Sequence, residues 1–514
     1  MKRRMISGDA APHEDFALLG SLKECGQQKD LQRGSVLYAQ IIKKGILEYS
    51  PYLSSSLISM YAKCRCLTYS IRLFERLRDH HNVISWDVMI AGYAHNGQAN
   101  ACLELFAKMQ GQGVMPTGST YSYVVKACVE KGTLDLGRKM HKYIVAIGLE
   151  SDNTVGKSLV ILYGNLGHVE EACKIFDGLL QPDVVSWSML IAGYAEVGLG
   201  PCALNCFKKM QECGLEADKY TYTSVLKGCG SMGAVDMGRL IHILIIQSCT
   251  EIDNVVKGTL IDMYVKFESL EDACKVFGEG INCDLVSWNT LIEGYVQHEQ
   301  SHLALNLYNQ MQNQNILPDS STYVSVLRAC AVIGAKTQGK LIHSDLVKDE
   351  LESDIVICNT LIDMYGKCAQ FNEARKIFEC LPNQNVVSWN AMIAGYSQHG
   401  LSRNALQYFH GMVQQGWKPN ASTYTSILGA CNRACEVEQA LCHFVSMTED
   451  YGLRPTVEHF DCVIDLLGRA GLLEEADRLL QSIPPFPDSF ARTSLLSACN
   501  VYENIDVGRD CFQH

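Results

Sequence analysis

Four stretches of this chain are variants of one phrase, VISWDVMIAGY, VVSWSMLIAGY, LVSWNTLIEGY and VVSWNAMIAGY. They are centred on Trp86, Trp187, Trp288 and Trp389, at a constant interval of 101 residues. A period held this strictly restricts the chain to a repeat architecture. The interval is not one domain, because further phrases recur inside it. TYSYVVKAC, TYTSVLKGC, TYVSVLRAC and TYTSILGAC form a second series, and SLVILYGNLG, TLIDMYVKFE and TLIDMYGKCA a third. Their spacing divides each interval into units of 35, 35 and 31 residues.

Each unit reads as two helices. In the unit from Leu285, the residues Trp288, Leu291, Ile292 and Tyr295 fall at i, i+3, i+4 and i+7, and Ala304, Leu307, Tyr308 and Met311 repeat the pattern. Both segments are therefore amphipathic helices. Gly97, Gly198 and Gly400 suit a left-handed end to the first helix, a pattern that Glu299 breaks. Pro116, Pro318, Pro419 and Pro455 are expected to end second helices, with Ala217 the exception. One helix pair cannot bury its apolar stripe, whereas stacked pairs can. The expected fold is all-α, a right-handed α-solenoid of helix-turn-helix units of the tetratricopeptide-like kind. The Trp residues are expected in its core. So are Cys128, Cys229, Cys330 and Cys431, which keep the 101-residue spacing and read as small buried apolar groups.

Several function classes drop out. A net charge of −12 is not that of a generic basic nucleic-acid binder. The longest apolar run, Leu240 to Ile246, is too short to span a bilayer, so no membrane partner is expected. No CxxC pair exists, and the one H-x-E segment, His168-Val169-Glu170, has no PCxxC to complete a zinc site. His141, His242 and His343 read as packing residues. No catalytic residue, metal ligand or cofactor is expected.

On these phrases the chain resembles the plant pentatricopeptide repeat proteins of the PLS class, in which P, L and S units alternate. The P units would be 83–117, 184–218, 285–319 and 386–420, the L units 118–152, 219–253, 320–354 and 421–456, and the S units 51–82, 153–183, 254–284, 355–385 and 457–488. Residues 1–14 would be a disordered leading segment and 15–488 an array of about fourteen units, the first a degenerate L unit at about 15–50. Residues 489–514 resemble the start of an E-type extension, incomplete, with Arg492 where that extension usually has Trp.

The resemblance implies readout of single-stranded RNA, one base per repeat, by the fifth and last residues of each unit. Carried over, Asn289 with Asp319 resembles a uracil pair. Asn390 with Asn420 and Asn359 with Asn385 resemble pyrimidine pairs favouring cytosine. Ser188 with Asp218, Thr223 with Asp253 and Ser122 with Asp152 resemble guanine pairs, and Ser55 with Asn82 an adenine pair. Ile84, Val185, Val286 and Val387 would pack between bases, and Lys63, Lys266 and Lys367 are candidates for phosphate contacts. Asp87/Thr117, Lys157/Asp183, Gly258/Asp284, Val324/Asp354 and Asp461/Asp488 depart from the pattern. Asp or Asn in the last place is also a good N-cap for the next helix, which gives a purely structural reason for it.

The function this implies is site recognition for C-to-U editing of organellar RNA. The deaminase would come from a partner protein, with editing accessory factors as further partners. The localisation would be the mitochondrion, with the chloroplast as the alternative. A protein-binding helical scaffold, or a factor for organellar RNA processing or stability, is the competing expectation.

Overall fold

The structure, a computed structural model, describes residues 11–47, 50–76, 82–150, 152–248, 253–278, 283–349, 351, 353–482 and 490–513. Among the described residues there are thirty helices and no strand. None of these helices is long and apolar enough to cross a membrane.

The chain divides into two compact units, one up to Phe267 and one from Glu268 on. In the first, the leading helices Pro51–Lys63, Val83–His95, Gly118–Lys131, Asn153–Asn165, Val184–Glu196, Lys219–Met232 and Asn254–Lys266 pack each on the next. In the second, Leu285–Gln297, Ser320–Ile333, Ile355–Lys367, Val386–Gln398, Ala421–Ala434, Val457–Arg469 and Phe490–Val501 do the same. Each unit is thus a solenoid of helical hairpins.

The 31-residue units are short for an identifiable reason. Their leading helices keep 13 residues, as in Asn153–Asn165 and Ile355–Lys367. Their trailing helices, such as Val169–Asp177 with 9 residues and Phe371–Cys380 with 10, replace the 13 residues of Ala99–Gly111 or Ser402–Gln414. The three or four missing residues amount to about one helical turn.

Trp86, Trp187, Trp288 and Trp389 are buried, as expected. Each ring meets a phenylalanine of the preceding trailing helix nearly edge-on: Phe74, Phe176, Phe277 and Phe378, with ring centroids 5.1, 4.5, 4.7 and 4.7 Å away. Such pairs add to the stabilisation from burial. Cys128, Cys229, Cys330 and Cys431 are fully buried, and burial pushes their thiols up to about 11, 11, 12 and 11.

The glycine of the AGY phrase serves close approach. A Cβ on Gly395 would lie 2.9 Å from the Gly366 backbone, so the helices Ile355–Lys367 and Val386–Gln398 can meet only without it.

Three boundary expectations change. The first helix runs Ala11–Gln28, starting ahead of residue 15; residues 1–10 lie outside the described ones. Glu299 does not break the turn geometry, since it adopts φ +59 where Gly97, Gly198 and Gly400 have φ of 72, 78 and 70. The prolines do not end second helices. Those helices stop at Gly111, Asn313, Gln414 and Glu449, and Pro116, Pro318, Pro419 and Pro455 stand immediately before the next N-cap. The turn is made earlier by left-handed residues such as Gly113, Gly214 and Asn315, so Ala217 needs no proline to follow the same path.

Residues 490–513 form one more hairpin, Phe490–Val501 packed on Ile505–Gln513.

Candidate nucleic-acid interface

Where the end of a unit lies among the described residues, its last residue is the N-cap of the next leading helix; Asp488, expected as the last residue of unit 457–488, lies outside them. Asn82, Asp183, Asp218, Asp253, Asp319, Asn385 and Asn420 each accept the backbone N–H three residues on, at 2.8 to 3.0 Å. Capping is therefore a firm part of why these residues stand there, worth about 1 kcal/mol apiece.

The same caps hold the fifth residues. Asn289 Nδ2 donates to Asp319 Oδ1 at 2.9 Å, and the Thr322 hydroxyl donates to Asn289 Oδ1 at 2.6 Å. Asn390, Asn420 and Thr423 repeat this, with Asn390 Nδ2 3.1 Å from Asn420 Oδ1 and Thr423 Oγ1 2.6 Å from Asn390 Oδ1. Asn359, Asn385 and Ser388 form a looser version, at 3.4 and 2.6 Å. The hydroxyls of Ser188 and Thr221 lie 2.6 Å apart, and Ser188 Oγ is 3.4 Å from Asp218 Oδ1. Residues 26 to 33 apart in the chain are thus brought into one polar triad.

The third member of each triad escaped the sequence reading. It is the Ser or Thr at the third helical position, and its signal was visible in the fixed hydroxyl of every SW and TY phrase. Where that hydroxyl is missing, the triad does not form. Thr223 and Asp253, expected as a pair, are not hydrogen-bonded to each other. Thr223 bonds back to the Lys219 carbonyl, while Asp253 Oδ2 takes the Lys219 ammonium at 3.0 Å. The reason is that Asp253 caps a helix with Val256 at the third position. Ser122 likewise bonds back to the Gly118 carbonyl, and the helix capped by its expected partner Asp152 has Val155 there.

Burial raises the Asp319 carboxyl, but hydrogen bonds from Thr322 and Asn289 outweigh it and hold the group below its ordinary value. At Asp183 burial also raises, and Lys157, donating to Oδ2 at 2.7 Å, pulls it below.

Accessibility differs from expectation at three positions. Asn289 and Asn390 are half-buried. Ser55, Ser188 and Asn359 are buried, at 4%, 3% and 8% exposure. A serine hydroxyl is too short to clear its own helix: Ser188 Oγ donates to the Val184 carbonyl at 2.7 Å. In those units the cap residue carries the more accessible polar atoms, with Asn82, Asp218 and Asn385 half-exposed.

Ile84, Val185, Val286 and Val387 are exposed, at 42%, 48%, 65% and 58%. Tyr52, Tyr220, Val255 and Val356 occupy the equivalent second position and are exposed as well, though the sequence reading left them out. Ile84 is a shared wall between two neighbouring clefts. One, of about 370 Å³, is lined by Tyr52, Ser55 and Lys63; the next, of about 300 Å³, by Lys63, Asp87 and Ser119.

Of the three candidate phosphate contacts, Lys63 opens into both clefts. Lys266 and Lys367 are ion-paired on their own helices, with Asp262 at 2.7 Å and Asp363 at 2.8 Å. Surface pairs of this kind are worth about 0–1 kcal/mol and yield readily to another anion.

Among the described residues no group of His, Cys, Asp and Glu could hold a metal ion. His168 and Glu170 open the helix Val169–Asp177, where Glu170 and Glu171 favour its N-terminal end. His141, His242 and His343 each place Nδ1 2.9 Å from a tyrosine hydroxyl, of Tyr163, Tyr264 and Tyr365, tying a trailing helix to the next leading one.

The repeats match known proteins. The PPR repeat family model matches residues 81–130, 182–231, 284–332 and 384–433. The pentatricopeptide repeat domain model matches 409–470, and the PPR repeat model 255–285, 356–386 and 458–484. A pentatricopeptide repeat-containing protein of Arabidopsis thaliana named as chloroplastic is 32% identical over 94% of this chain and 60% of its own length. Another from the same plant, named as mitochondrial, is 33% identical over 94% of this chain and 87% of its own. The chain therefore spans less than two thirds of the first of these relatives. The crystal structure of the pentatricopeptide repeat protein PPR10 in complex with an 18-nt psaJ RNA element superposes with a TM-score of 0.59 at 18% identity, covering 98% of this chain and 86% of that one. PPR10 without RNA, from maize, gives 0.57 at 19% identity over 96% of this chain and 83% of that one. Fold, repeat models and relatives matched along 94% of the chain agree, and the chain belongs to the pentatricopeptide repeat family.

Proposed function

We propose that this chain binds single-stranded RNA in a plant organelle and reads it at about one base per repeat. The observation that carries the reading is the set of triads, because it decides which atom of each cap is left for a ligand. The helix end and the fifth residue occupy Oδ1. Asp319 then has Oδ2 to offer, an acceptor; Asn420 and Asn385 have amide N–H donors. Uracil presents a donor at N3 and cytosine an acceptor. Asn289 with Asp319 thus favours uracil, and Asn390 with Asn420 and Asn359 with Asn385 favour cytosine. Beside the short Ser188 and Ser55 a purine has room, and the acceptor of Asp218 or the donors of Asn82 then favour guanine or adenine. Thr223 with Asp253 reads weakly, since no triad holds them.

The alternation of 35-, 35- and 31-residue units is that of the PLS class, and residues 490–513 suit the start of an E-type extension. In this reading the chain selects sites for C-to-U editing in the mitochondrion, and a deaminase on another chain supplies the chemistry. Relatives named for either organelle fit an organellar role.

The test is a reciprocal swap. Asp319→Asn should turn the preference at one nucleotide from uracil to cytosine, and Asn420→Asp should do the reverse at another. Asp and Asn cap equally well, so melting curves should barely move. Equal affinity of both variants for all RNA sequences would remove the readout, and binding of double-stranded RNA as tight as single-stranded would remove the reading altogether.

A further inference from the structure

The repeat 83–117 builds its triad from different chemistry, with Asp87 in the fifth place. The Thr117 hydroxyl donates to Asp87 Oδ2 at 2.8 Å, and the Thr120 hydroxyl donates to Oδ1. Both hydroxyl protons end on the carboxylate, so Asp87 offers a ligand only lone pairs, two oxygens side by side. It is half-buried and lines the cleft of about 300 Å³ with Lys63, Ile84, Val88 and Ser119. Ile84 and Ser119 are the second residues of successive repeats, so the cleft lies where one base would be held. Its size is comparable to that of the cleft of about 370 Å³ beside Ser55, where the short side chain leaves room for a purine.

We propose that Asp87 selects guanine at this nucleotide, an assignment that rests on the RNA-binding function proposed above. Guanine is the one neutral base with two adjacent donors, N1–H and N2–H, on the edge that a single strand exposes. They match a carboxylate in two parallel charge-assisted hydrogen bonds. Adenine and cytosine set one amino donor beside a ring-nitrogen lone pair, and uracil flanks N3–H with two carbonyl oxygens. Each of these turns at least one lone pair toward the carboxylate. Lys63 in the same cleft supplies a cation where a carboxylate would otherwise face a polyanion alone.

The test selects RNA from a randomised single-stranded pool with the full chain, with Asp87→Asn and with Ser188→Asn. Ser188 lies three repeats on and marks the register, three nucleotides away at one base per repeat. The wild type should enrich guanine at the Asp87 position. Asp87→Asn keeps an acceptor for a threonine hydroxyl, so its melting curve should stay close to wild type. It should lose that enrichment, with on the order of tenfold weaker binding to the selected sequence, while the position marked by Ser188 is unaffected. Any other base enriched at the Asp87 position, or an equal loss for all sequences in Asp87→Asn, would reduce Asp87 to a structural brace. If other positions show preferences and this one shows none, the guanine assignment alone fails. If no position shows any, the RNA reading fails and takes this assignment with it.

Discussion

Asp319 Oδ1 accepts from the Thr322 N–H and from Asn289 Nδ2, both at 2.9 Å, while the Thr322 hydroxyl gives its one proton to Asn289 Oδ1 at 2.6 Å. The Thr322 hydroxyl is the hinge of this arrangement, since it also fixes which way the Asn289 amide faces. Thr322→Val should cost about 1–2 kcal/mol in unfolding free energy. It should also blunt the base preference proposed for Asn289 and Asp319, which titration with matched and mismatched RNA would measure; an unchanged preference would show that the amide is held some other way. Trp288 has a different kind of role. It is 2% exposed, and its indole N–H finds no acceptor among the described residues, so the ring is kept for shape. Trp288→Ala should destabilise by about 3–5 kcal/mol, read from denaturant unfolding. The Trp and the caps were legible in the sequence because each obeys a local rule. The threonine bridge was not, because it joins residues 33 apart.

At the level of helices, two features invite measurement. Glu299 holds a left-handed conformation that costs an L side chain about 1–2 kcal/mol, and Glu299→Gly should recover about 1 kcal/mol as a higher melting temperature. A lower one would mean that Glu299 makes compensating contacts. The second is pH. Burial lowers the His141 pKa below 6.5, against a smaller upward pull from Glu150, while its Nδ1 meets the Tyr163 hydroxyl. The unfolded chain then takes up this proton before the folded one does. The contribution of His141 is unchanged above pH about 6.5, and stability falls as pH drops below that value, until the folded group is itself protonated. His443 is lowered by burial and then by the charge of His410, and acts in the same direction. Melting temperatures between pH about 7.5 and about 5.5 should decline, and less steeply in His141→Gln. The paired-helix character of the units could be read from the repeated phrases and their apolar periodicity. Turn placement could not, since prolines and left-handed residues sit only a few positions apart and either could end a helix.

Across the whole molecule, a net charge of −12 and lysines already engaged by aspartates point to a shallow salt response. If Lys63, Lys266 and Lys367 are the phosphate contacts, log K should fall against log[salt] with a slope of about −2, which titrations at several salt concentrations would give. A slope several times steeper would mean that other cations bind the strand. The solenoid itself was foreseeable, because a 101-residue period leaves few other ways to bury its stripes. Accessibility at Ser55, Ser188 and Asn359 was not, since it depends on how closely one hairpin overlies the next. The coupling of cap and reader has an evolutionary corollary. In the proposed reading, a lineage that retargets this protein can write each cap position only in the handful of residues able to begin a helix, chiefly Asp, Asn, Ser and Thr. Its vocabulary of targets is therefore limited by foldability before selection for any message begins.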